Sequence, residues 1–151
     1  MKITIEIDKT LNEGQIVIKC RQLDERTEKI QKAAAQILDT ERSMTFYKGD
    51  TAYYIKLGDI LFFETAQNRI YAHSADDIYL VKYKLYELEE TLGENFVRIS
   101  KSAIVNTRSV RSLKKNITSS SLIEFHSSHK QVYASRYYLK NLELTLKGRS
   151  L

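Results

Sequence analysis

The chain has 151 residues, 42% of them hydrophobic, a net charge of +5, one cysteine and no proline. That is enough apolar material for one compact core, or one domain with a small companion, and too much for a disordered chain. No apolar run approaches the roughly 20 residues that a membrane-spanning helix needs, no signal-peptide core opens the sequence, and a lone Cys20 excludes an internal disulfide. A cytoplasmic protein is expected.

The charge is segregated. Residues 1–43 carry eight basic and eight acidic side chains, and residues 44–97 carry five basic and nine acidic. Residues 98–151 carry eleven basic side chains and only two acidic ones, Glu124 and Glu143. Such asymmetry is the footprint of a partner that is anionic, either nucleic acid or an acidic protein surface.

Taken in order, Lys2 to Asp8 alternates with Ile3, Ile5 and Ile7 on one face, Asn12-Glu13-Gly14 signals a turn, and Gln15 to Cys20 alternates again. This predicts a hairpin. An amphipathic helix is expected from about Asp24, a good N-cap, with Leu23, Thr27, Ile30, Ala34, Ile37 and Leu38 on one stripe. A β-β-α unit of this size buries little alone, so residues 1–43 form an accessory extension that either dimerises the protein or braces the rest of the chain.

From Met44 the pattern changes to short strands. Met44–Tyr47 and Thr51–Ile55 flank Lys48-Gly49-Asp50, read as a three-residue hairpin loop. Asp59–Thr65 is an apolar strand, Ala66-Gln67-Asn68 a turn, Arg69–His73 a strand, Ala75-Asp76-Asp77 a turn and Ile78–Lys82 a strand. A short helix over Tyr83–Leu92 precedes the stretch Phe96 to Asn106, two apolar strands around the polar step Ser100-Lys101-Ser102. A polar, turn-rich region through Ser121 comes next, then a hairpin of Ser121–Phe125 and Gln131–Ala134, and a helix over Tyr138–Lys147. The expectation is a mainly β, antiparallel domain with short helices over residues 44–151.

Catalytic and cofactor signatures are missing from the sequence. The five glycines are scattered, no nucleophile elbow occurs, and His126 and His129 stand three apart around a turn without a third ligand in view. No enzyme activity, cofactor, metal or small-molecule substrate is expected. What stands out are basic and amide side chains at strand and helix edges: Asn68, Arg69, Lys101, Asn106, Arg136 and Lys140. Arginine reads guanine and asparagine reads adenine through paired hydrogen bonds, while lysine suits phosphate.

The segments Asp59-Ile60-Leu61-Phe62-Phe63-Glu64, Leu85-Tyr86-Glu87-Leu88-Glu89-Glu90, Phe96 to Asn106 and Tyr133-Ala134-Ser135-Arg136 occur in the order and spacing of the LytTR DNA-binding domain, which the chain resembles over residues 44–147. The resemblance implies an antiparallel β-fold whose loops and edges enter successive major grooves. It implies base contacts from Asn68-Arg69, Asn106 and Arg136, and phosphate contacts from Lys101, Ser135 and Lys140. Two departures stand out. Ser100-Lys101-Ser102 occupies the place where many members have His-Arg-Ser, and residues 1–43 are too short for the receiver domain that many members carry. The chain looks like the small stand-alone LytTR regulators, some of which are paired with an inhibitory membrane protein. The expected function is a sequence-specific, double-stranded DNA-binding bacterial transcription regulator, a homodimer on repeated half-sites. The alternative is a non-catalytic basic module for RNA or an acidic protein.

Overall fold

The computed structural model describes residue 2, residues 4–12 and residues 14–148. Two compact units divide it, Met1–Ala33 and Ala34–Leu151, with the division inside the first helix.

In the first unit the expected hairpin is corrected. Among the described residues before the first helix no strand forms, and Ile5 and Ile7 stand 85% and 87% exposed. The alternation of Lys2–Asp8 is genuine, but two short strands are marginal in water without a third strand or an apolar surface to cover. What does form is the helix start. Asp24 accepts hydrogen bonds from the Thr27 backbone N–H at 2.8 Å and from its hydroxyl at 2.6 Å, capping α1 (Glu25–Glu41) as expected.

The second unit begins within α1 and continues with β1 (Ser43–Lys48), β2 (Thr51–Lys56), β3 (Ile60–Ala66), β4 (Arg69–Ser74) and β5 (Ile78–Val81). Next come α2 (Leu85–Thr91), β6 (Phe96–Ser100), β7 (Ala103–Asn106), β8 (Val110–Lys114), β9 (Ser121–Phe125), β10 (Gln131–Ala134) and α3 (Arg136–Lys147). A seven-stranded sheet runs in the order β2-β1-β5-β4-β3-β7-β6, and a three-stranded sheet in the order β10-β9-β8. All pairings are antiparallel.

β8 was not expected. Its pairing with β9 shifts register between Val110 and Ser112, so the strand carries a bulge that breaks the period-2 pattern. Its apolar positions, Val110 and Leu113, therefore lie three apart and still reach the same core. The β1–β2 loop is also shorter than expected, a two-residue turn with Gly49 at φ 56.

β3 explains the layering. The run Ile60-Leu61-Phe62-Phe63 is buried at every position, because both faces of this central strand are covered. Ile60 and Phe63 join Phe46, Leu57, Leu85, Leu88 and Ile104 in a core closed by α2. Leu61 and Phe62 join Ile99, Val105, Ile123, Phe125 and Leu142 in a second core closed by the small sheet and α3. Phe62 stacks on Phe125 at 5.4 Å between centroids, tying the two sheets together.

Candidate nucleic-acid interface

The β3–β4 turn closes on the pair Ala66↔Arg69, leaving Gln67 and Asn68 as its two central residues at φ 51 and 61. Positive φ at both positions is the hairpin geometry that matches the twist of the flanking strands. Gln67, Asn68 and Arg69 are all exposed.

On the other side of β3 lies β7, with Glu64↔Ala103 as the last pair and Thr65 N–H donating to the Ser102 carbonyl at 2.7 Å. The β6–β7 turn at Lys101-Ser102 is thereby held beside the end of β3, at the same end of the sheet as Gln67-Asn68. Its shape is fixed from within. Arg98 donates from Nε to the Ser100 carbonyl at 2.7 Å and from its guanidinium to the Lys101 carbonyl at 2.6 Å, and it pairs with Glu89 at 2.6 Å. The Ser102 N–H donates to Ser100 Oγ at 3.1 Å. With its carbonyl engaged and its side chain exposed, Lys101 points a free ammonium into solvent.

The third segment arrives from the small sheet. Ser135 follows β10, and its N–H donates to the Ile99 carbonyl at 2.8 Å, next to the Ser100–Ser102 turn. Ser135 is the residue before α3 and its hydroxyl makes no hydrogen bond among the described residues. α3 starts at Arg136, two residues earlier than the pattern suggested, so Arg136 lies in the first turn of the helix and Lys140 one turn further on the same face. Both are exposed, and neither they nor Arg69 and Lys101 form an ion pair among the described residues. The acids of the basic third are otherwise engaged: Glu143 with Lys115 at 2.6 Å and Glu124 with Arg111 at 3.6 Å.

Six of the seven expected contact residues thus gather at one end of the domain: Asn68, Arg69, Lys101, Ser135, Arg136 and Lys140. Asn106 does not. It ends β7, opposite Phe96 and remote from the β6–β7 turn, and is 1% exposed. Its Nδ2 donates to the Ile60 carbonyl at 2.9 Å and its Oδ1 accepts from the Arg108 N–H at 3.1 Å. Both halves of the amide serve the fold, so the expected base contact does not fit this buried side chain.

Sequence reasoning also missed Arg98 and His73. His73 Nε2 lies 2.8 Å from Glu64 Oε1 and its ring stacks on Phe62 at 4.1 Å, with Nδ1 buried and without a partner. Burial pushes its pKa below the usual 6.5, with nearby Lys130 adding to that and Glu64 opposing it. This pair links neighbouring strands β3 and β4 of the seven-stranded sheet. Among the described residues no three His, Cys, Asp or Glu side chains gather to hold a metal, and no helix is long and apolar enough to cross a membrane.

An antiparallel β-domain that presents amides and unpaired cations on two turns and a helix start has the build of a nucleic-acid-binding domain. Residues 50–147 match the LytTr DNA-binding domain, and the chain belongs to that family. It is 27% identical over 143 residues, 95% of this chain and 96% of the relative, to proteins of Staphylococcus aureus strains NCTC 8325 / PS 47 and N315, each described as an uncharacterized HTH-type transcriptional regulator. The fold is similar to that of the LytTr DNA-binding domain of a protein described as a methyl-accepting/DNA response regulator from Bacillus cereus. The TM-score is 0.64 at 21% identity, covering 70% of this chain and 96% of that one. The "HTH-type" description does not suit the present fold. A helix-turn-helix joins two consecutive helices by a turn of a few residues, whereas α1, α2 and α3 are each separated by strands.

Proposed function

We propose that the protein is a bacterial, cytoplasmic transcription regulator that binds double-stranded DNA sequence-specifically. Asn68, Arg69 and Arg136 read base edges in the major groove, and Lys101, Ser135 and Lys140 hold phosphates. The carrying observation is the convergence of three chain segments, bonded to each other through Thr65–Ser102 and Ser135–Ile99, on one end rich in unpaired cations. Arginine and asparagine supply paired hydrogen bonds to guanine and adenine, and a helix N-terminus adds its positive end toward a phosphate. The description of the relatives as transcriptional regulators supports the regulatory role.

Two copies act together on repeated half-sites. Apolar side chains standing in solvent within the N-terminal segment, such as Ile7 and Leu38, are material for self-association. Selection from a random duplex pool at near-physiological salt tests the main claim, and sedimentation with and without the selected duplex tests the dimer. Recovery of a repeated half-site by wild type supports both. Equal retention of every duplex, lost as salt rises, reduces the protein to a basic surface.

A second reading has one observation in its favour. Tyr137 is 88% exposed beside Arg136, where an unstacked base of single-stranded RNA would find an aromatic platform. Single-stranded RNA that outcompetes the selected duplex would favour that reading over the first.

A further inference from the structure

We propose that Gln67 is a base-reading residue for an A·T pair, and that the β3–β4 turn keeps a glutamine in a strained conformation for that purpose. The proposal rests on the DNA-binding reading above and deepens it. At φ 51, Gln67 holds the first central position of a two-residue hairpin turn. Turns of this kind select glycine, asparagine or aspartate there, because glycine lacks a Cβ and the short polar side chains bond locally. Glutamine has neither advantage, and a non-glycine residue held in the left-handed region costs on the order of 1 kcal/mol or more.

The β1–β2 turn is also two residues long, but only its first central residue, Gly49 at φ 56, has positive φ, the turn type that calls for glycine at that position. Among the described residues the other non-glycine positions with positive φ are Asn68 at 61 and Ser127 at 59, both short polar side chains, so Gln67 is the one long side chain held in that region. No structural bond accounts for it: among the described residues the Gln67 amide makes no hydrogen bond, and the side chain is exposed. A strained, unbonded amide at the tip of a stiff hairpin, adjoining Asn68 and Arg69, is pre-set for a groove. Its carboxamide carries one donor and one acceptor in the spacing that pairs with adenine N7 and N6. One methylene longer than asparagine, it reaches further beyond the turn than Asn68 does.

The test uses the full chain with Gln67→Gly and Gln67→Ala, read by thermal unfolding and by duplex selection at fixed salt. Gln67→Gly should unfold at the same or a higher temperature, because it relieves the strain. Both variants should lose preference at one A·T position by roughly 5- to 100-fold, with the salt dependence unchanged, because no phosphate contact is removed. If wild type selects a site and both variants select it with undiminished preference at every position, Gln67 is a turn residue only. If only Gln67→Gly loses the preference, backbone stiffness and not the amide is responsible, and the assignment fails. A wild type without any selected site overturns the sequence-specific reading, and this assignment with it.

Discussion

Replacing Asn106 with alanine separates the two roles an asparagine at the end of β7 can have. The substitution removes the bond to the Ile60 carbonyl at 2.9 Å and the one from the Arg108 N–H at 3.1 Å. The Ile60 carbonyl starts β3 in a wholly buried setting, and a buried polar group left without a partner costs about 1–3 kcal/mol. The Arg108 N–H opens the short 3-10 turn Thr107–Ser109 and is only partly buried, so its loss lies near the lower end of that range. Together the expected loss is about 2–4 kcal/mol, a fall in melting temperature on the order of 10 °C for a domain of this size. Base preference, measured by selection below the lowered melting point, should match wild type position for position. Unchanged thermal stability combined with relaxed preference at one base pair would refute the reasoning and return Asn106 to the DNA.

Four further outcomes are expected. Arg136→Ala should leave the unfolding free energy within about 1 kcal/mol of wild type, since the side chain is exposed and without an ion pair among the described residues, while costing about 1–3 kcal/mol at one base pair; competition between single-base variants of the selected duplex measures it. Lys101→Ala should weaken specific and random duplexes alike and lower the slope of log affinity against log salt by about one unit, read from binding isotherms at several salt concentrations. Arg98→Met keeps the apolar stem but removes the donors that hold the Ser100 and Lys101 carbonyls. It should weaken DNA binding without Arg98 itself facing the DNA, and hydrogen exchange at Ser102 and Ala103 should accelerate. His73 has a folded pKa below its unfolded value of about 6.5, so the unfolded chain takes up the proton first as pH falls. Its contribution is present above that pH and is lost as pH falls from about 7 toward the folded value. Melting curves between pH 5 and 7 should show this loss, and His73→Gln should flatten it. The carboxylates of Asp24, Asp77 and Glu143 are held below their usual ranges and do not titrate in that window.

The legible part of the sequence is the part that a one-dimensional pattern can carry. The strands from Ser43 to Asn106 and from Ser121 to Ala134, and the three helices, emerge from periodicity and turn residues, because a half-buried strand or helix must alternate at its own period. β8 is not legible because a bulge shifts Val110 and Leu113 out of step, and alternation in the N-terminal segment does not make a hairpin because it states which faces differ, not whether anything covers one of them. Asn106 and Lys101 show the deeper limit. In a strand such as β7, buried at all four positions, alternation no longer tells inside from outside, and an amide at its end reads the same whether it faces a base or the Ile60 carbonyl. Arg98 and Lys101 lie three residues apart and carry the same charge, yet one is held by carbonyls and Glu89 while the other is open. In this β-scaffold the strand register decides which cation is bonded into the fold and which is presented. Gln67 shows the same limit: the sequence marks Ala66-Gln67-Asn68 only as a turn, and it takes the register Ala66↔Arg69 to place the glutamine at positive φ.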